Sequence, residues 1–330
     1  MKILTIIVFI VWTSNSFAQK NYLEYHKQAR EIENKILDSS YSEAVKLYHS
    51  LFREYDFVFA EDCFRAAQTA VVDGDTASAF TFLKRATKQG VTMERILMDS
   101  LLVDLQKSNN WTEYESNYDS LREIYTADIN WELRNKINEL YDLDQFYRDK
   151  HELHPWNFLW RPFISIKWKK VVKEIVENEL TPLILEYGFP NEKLIGLDEA
   201  SFHHKHQYDK LKSNFAFIIL VHYFSDPRPT TLNEILLSNI ETGNISPKQY
   251  ASLIDFQAQW GRNKYYKGLH YNEWHSTKNE EDLDQINKNR EAIGLEDLEK
   301  REIKFQRGLD ACKERKKGNY NHVRFWIFCG

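Results

Sequence analysis

Asp144 and Arg148 are four residues apart, a spacing that places two opposite charges on one face of a helix. They continue a stripe set by Leu133, Ile137, Leu140 and Tyr141, so they point where apolar side chains pointed a turn earlier. If the helix end emerges into water, they are an ordinary surface ion pair worth very little. If the pair is partly buried, it is expensive to build and marks a site. The residues leave both readings open. His203 and His206 lie three apart and present their ring nitrogens to one face. His206 with Asp144 or Asp255 is a candidate general acid–base pair, with Arg148 clamping an anion. Asp255, Gln259 and Arg262 also share a helix face, for which a solvated polar surface is the plainer account. Tyr265-Tyr266 can stack on a sugar or a peptide, or simply belong to a core.

Other chemistries are disfavoured. Eight of the eleven histidines fall between positions 151 and 275, but neither His-Glu-x-x-His nor paired cysteines accompany them. No metal and no cofactor are therefore expected. Gly-x-Ser-x-Gly, Walker and dinucleotide fingerprints do not occur. Lys plus Arg total 44 against 49 Asp plus Glu, so no basic excess points to nucleic acid. Eleven glycines and seven prolines in 330 residues argue against a Gly/Pro-turned all-β fold and against low-complexity disorder.

The elements that must position these residues begin after residue 18. Lys2 precedes the apolar run Ile3–Trp12, and Ser16-Phe17-Ala18 supplies small residues before Gln19. A basic start, a short apolar centre and a small-residue cut site predict a secretory signal peptide, with export to the periplasm or medium. A membrane span needs about 20 apolar residues, roughly twice this run, and no later stretch reaches that length. In an oxidising compartment Cys312 and Cys329 lie close enough in sequence to staple the tail, while Cys63 reads as buried and inert.

Tyr41-Ser42-Glu43-Ala44-Val45-Lys46-Leu47-Tyr48 is repeated in pattern by Thr76-Ala77-Ser78-Ala79-Phe80-Thr81-Phe82-Leu83, and more faintly from Trp111. Each copy follows a turn-prone spot: Asp38-Ser39-Ser40, Asp73-Gly74-Asp75 and Ser108-Asn109-Asn110. Between them Phe57–Val72 carries Ala60, Ala66, Ala67 and Ala70, small residues that let helices approach closely. A period of about 34 residues made of two helices resembles tetratricopeptide repeats over about residues 25–128. That resemblance implies a concave surface for a peptide or partner protein. A plain helical bundle is the alternative, and bulky Tyr114 in place of Ala44 and Ala79 weakens the third copy.

The second half also reads as helices: Asn130–Lys150, Lys167–Tyr187 stopped by Gly188 and Pro190, Thr231–Ile240, and Ser246-Pro247 to Trp260. Two prolines bracket aromatics across 151–162 and predict a linker there. Asp144-Gln145-Phe146-Tyr147-Arg148, Gly188-Phe189-Pro190, Lys205-His206, Asp255 with Gly261 and Tyr265-Tyr266-Lys267-Gly268, and Arg290 with Gly294-Leu295 follow in order. Together they resemble the uncharacterised bacterial family called domain of unknown function 6624, over about residues 131–300. That family brings no reaction to carry over, but the resemblance raises Asp144, Arg148 and His206, and adds Gln145 as a binding candidate beside Asp255, Arg262 and Tyr266. Residues 301–330 hold eight Lys/Arg against three acids, a basic tail expected to dock on its own protein.

The expectation is an all-α chain: signal peptide 1–18, tetratricopeptide-like helices 19–128, a second helical domain 129–300 and the tail. A peptide- or protein-binding module is the first functional reading. A hydrolase-like enzyme using His206, Asp144 and Arg148 is the second.

Overall fold

A computed structural model of the chain describes residues 20–152, 161–197, 215–225, 231–260, 271–273, 283–317 and 325–326. The fold is all-α, with no strand among the described residues. In the first half α1 (Tyr22–Leu37), α2 (Tyr41–Glu54), α3 (Ala60–Asp73), α4 (Thr76–Lys88), the short α5 (Met93–Leu97) and α6 (Asn109–Ala127) follow one another. α1 packs on α2, α2 on α3, α3 on α4 and α4 on α6, so neighbours in sequence are neighbours in space.

Local chemistry sets the boundaries. Asn21 caps α1 by accepting from the Leu23 N–H at 2.8 Å, and Asp75 caps α4 by accepting from the Ser78 N–H at 3.0 Å. Gly74 closes α3 in the left-handed conformation, where a side chain is disfavoured. Ala60, Ala66, Ala67 and Ala70 have no exposed surface, as close helix approach requires. Cys63 is buried among them and free.

The second half comprises α7 (Trp131–Glu152), α8 (Arg161–Glu174), α9 (Thr181–Tyr187), α10 (Glu192–Ile195), α11 (Phe215–Phe224), α12 (Leu232–Glu241), α13 (Pro247–Trp260), α14 (Leu283–Ala292) and α15 (Leu298–Lys316). A π-helical turn, Ile175–Leu180, joins α8 to α9 without a break. The helix predicted from Lys167 therefore starts earlier, with Pro162 in its first turn rather than in a linker, a position where proline's missing N–H does no harm. α11 packs on α7, α8 and α13, and α12 packs on α13.

Apolar side chains gather into two cores. One is drawn mainly from α1–α6, the other from Leu133 to Leu295. The chain's end returns to its beginning: Phe325 is buried in the first core, 6.1 Å from the Tyr41 ring centre. Cys312 on α15 is disulfide-bonded, and Cys329 lies outside the described residues.

Candidate functional site

α7 carries Asp144 into the second core, between Leu140 and the side chains of α8 and α11. The carboxylate has no exposed surface, and three side chains donate to it or share a proton with it. Trp168 Nε1 of α8 donates to Oδ1 at 3.2 Å, and Gln145 Nε2 donates to Oδ2 at 2.8 Å. His222 of α11 places Nδ1 2.7 Å from Oδ2. The imidazole stands edge-on to the Trp168 indole, with ring centres 5.2 Å apart, and 13% of its side chain is exposed. Arg148 donates to Gln145 Oε1 at 3.3 Å, so it joins the group through Gln145. The direct Asp144–Arg148 pair expected from the spacing does not form: Arg148 reaches Gln145 instead, and the carboxylate is met by Gln145, Trp168 and His222.

A carboxylate bound to Nδ1 puts the ring proton on that atom and leaves Nε2 as the basic lone pair. One short-range geometry thus serves two purposes. It gives a buried carboxylate its partners, and it fixes the orientation of a partly exposed base.

Asp255 does different work. It is buried and accepts from the backbone N–H of Tyr271 at 2.8 Å and of Glu273 at 2.6 Å. Its expected place on a solvated polar face is therefore corrected: α13 turns Asp255 inward to hold the segment 271–273. Arg290, fully buried, grips the same segment through the Tyr271 carbonyl at 2.5 Å and Glu273 at 2.9 Å. His206, Arg262 and Tyr266 lie outside the described residues.

A second polar constellation lies where the two halves meet. Glu33 of α1 is buried between Arg30 and Arg65, each with an N–O separation of 2.5 Å, and is also bonded by Lys304 of α15. Arg65 also meets Glu61 at 2.8 Å and Asp62 at 3.3 Å, and Tyr25 donates to Asp62 at 2.8 Å. Glu296 completes the group, 3.5 Å from Arg30 and 3.7 Å from Lys304. Burial works to raise the Glu33 pKa, but Arg30, Lys304 and Arg65 more than offset it and hold the carboxyl far below its ordinary range. At Asp62 burial prevails over Arg65 and Arg30, and its pKa rises. Glu296 is lowered, with Arg30 and Lys304 outweighing burial.

This network floors a cleft of about 440 Å³ whose walls also include His26, Phe59, Glu192, Phe305 and Trp326. That volume suits a small ligand or a short peptide segment. Among the described residues no cluster of His, Cys, Asp or Glu is arranged to hold a metal ion.

His222, Trp168, Glu33 and Lys304 are absent from the sequence-based candidates, yet two of them carry a signal. His222 is the one imidazole in the otherwise apolar and aromatic run Phe215–Phe224. Glu33 falls on the buried stripe Tyr25, Ala29, Ile32 and Ile36 of α1. A polar residue at a core position announces either a defect or a partner.

No family model matches this chain, and no curated protein or solved structure shows significant similarity to it. The likenesses to domain of unknown function 6624 and to tetratricopeptide repeats rest on the motifs quoted above.

Proposed function

We propose that the chain is a hydrolase-like enzyme whose general acid–base centre is the Asp144–His222 pair. The observation that carries this reading is the 2.7 Å contact between a fully buried carboxylate and a histidine whose side chain keeps 13% of its surface exposed. In this reading His222 Nε2 takes a proton from water as the water oxygen attacks an electrophilic centre. The same nitrogen then returns the proton to the leaving group. Asp144 holds the ring and steadies the imidazolium. Arg148, anchored by Gln145, supplies positive charge for a developing oxyanion. Export remains a proposal from the sequence of residues 1–18.

Chromogenic carboxyl esters, phosphoesters, glycosides and amides offered to the purified protein test it. Turnover of at least one class is expected, with a loss of about 10²–10⁴-fold in His222→Asn. Turnover that survives His222→Asn and Asp144→Asn, or no turnover of any class, sinks the reading.

The cleft over Glu33 favours a second reading, the peptide- or protein-binding module, because both halves contribute charged walls to it. A ligand held there raises the melting temperature, and the rise grows with the logarithm of ligand concentration above its Kd. Short charged peptides that stabilise the native protein but not a Glu302→Ala/Arg301→Ala variant support this reading; peptides without effect on either count against it.

A further inference from the structure

The outer face of the helix pair next to Asp144 carries an unusual combination of side chains. Leu143 and Phe146 on α7 and Phe163 and Ile166 on α8 are between 42% and 66% exposed. Each pair is three residues apart, so each forms a strip along one face of its helix. The two helices lie side by side, with Trp168 level with Asp144 and Lys167 level with Tyr147. Lysines connect the strips. Lys150 lies over the Phe146 ring at 3.8 Å and 5.9 Å from the Tyr147 ring, and Lys167 approaches Tyr147 from α8 at 5.4 Å. α8 adds exposed Lys169, Lys170 and Lys173; Lys170 lies 3.8 Å from Glu174, the helix's one acidic residue, and Lys173 lies 3.7 Å from Glu177 in the turn that follows.

Large apolar side chains gathered on a surface mark an interaction site. On α8 they are flanked by cations although the whole chain is net acidic at −5; α7 contributes exposed Glu139, Asp142 and Asp149 beside Lys150, so the positive charge is concentrated on α8. Apolar side chains beside exposed lysines fit the boundary between acyl chains and phosphate headgroups. The rings enter the apolar layer, and long lysine stems lie along it with their ammonium groups at the phosphates. Among the described residues no helix is long and apolar enough to cross a membrane, so this face would rest on a bilayer rather than span it.

We propose that the exposed face of α8, with its lysines and with Phe163 and Ile166, docks on an anionic phospholipid surface. This inference does not depend on the Asp144–His222 chemistry, and its test reads no turnover. The full chain is sedimented with vesicles of phosphatidylcholine alone and with vesicles mixing phosphatidylcholine and phosphatidylglycerol in equal parts. Binding to the mixed vesicles is expected at low salt, at least tenfold above the neutral ones and falling as salt is added. Reversing Lys167 or Lys170 to Glu lowers partitioning about fivefold each. Ile166→Ser lowers it further, with an unchanged melting temperature because that side chain is 66% exposed. Equal binding to both vesicle types, or variants that bind like the parent, overturns the proposal. So does self-association that these variants abolish in the absence of any lipid binding, since that result assigns the face to a second copy of the chain.

Discussion

A carboxylate with no exposed surface must find its donors inside the protein, and Asp144 finds three, on its own helix and on two others. Removing one donor leaves part of a buried charge unsatisfied. Trp168→Phe keeps an aromatic ring but deletes the N–H facing Oδ1 together with the five-membered half of the indole, and a destabilisation of at least about 1–3 kcal/mol is expected in denaturant melts. Asp144→Asn tests orientation rather than stability. In the parent, ¹⁵N spectra taken where the imidazole is neutral should show His222 protonated at Nδ1. In Asp144→Asn the facing atom can be an amide donor, and a mixture of tautomers is expected. A ring already mixed in the parent would remove the basis for the acid–base assignment. At this scale the sequence was half legible. The stripe through Leu133, Ile137 and Leu140 placed Asp144 on the core side of α7. It could not name the partner, because His222 lies 78 residues away and only packing of α11 on α7 brings it near.

Helix ends were the most readable features, since caps and stops depend on residues within a turn of one another. Gly188 was read as a stop, and the structure gives it a φ of +93° with its Cα pressed against α12 and the turn after it. A Cβ there would lie 2.0 Å from Asn244 Nδ2 and 3.2 Å from Asn239 Oδ1, the atom that accepts from the Phe189 N–H. Gly74, also read as part of a turn, has a φ of +82° but open space around a built Cβ. The two substitutions should therefore differ. Gly74→Ala pays only for the backbone, about 1 kcal/mol, whereas Gly188→Ala also displaces a buried asparagine pair and should exceed ~2 kcal/mol. Equal shifts in melting temperature would show that the Asn239–Asn244 packing gives way freely. The π turn at Ile175–Leu180 was not legible. The buried side chains Val172, Ile175, Val176, Leu180 and Ile184 keep spacings of three and four, which an uninterrupted α-helix would show equally well.

Over the whole molecule, the first and last helices are joined by charge. Lys304 and Arg307 of α15 bond Glu33 and the Leu37 carbonyl of α1, across 271 and 270 residues of sequence. Spacing rules cannot see such a pair; a lone acid on the apolar stripe of α1 was the only trace of it. Because three cations surround Glu33, its carboxyl ionises far more readily in the folded chain than its ordinary value of 4.5. Above about pH 4.5 both folded and unfolded chains carry the charge, and the stabilisation is complete. As the pH falls below that value the unfolded chain takes up a proton that folded Glu33 refuses, so stability is lost progressively. Glu296, also lowered, adds to the loss, while Asp62, raised by burial, works against it. Glu33→Gln should cost about 3–5 kcal/mol at neutral pH, because it leaves Arg65 and Lys304 buried with less counter-charge. It should also flatten the decline in stability between about pH 4.5 and 3, where the parent pays for protonating Glu33 only in the unfolded chain. Denaturant melts of both proteins at neutral and acid pH measure the two effects together. Parallel pH profiles for parent and variant would mean that Glu33 is not the group through which acid separates the chain's two ends.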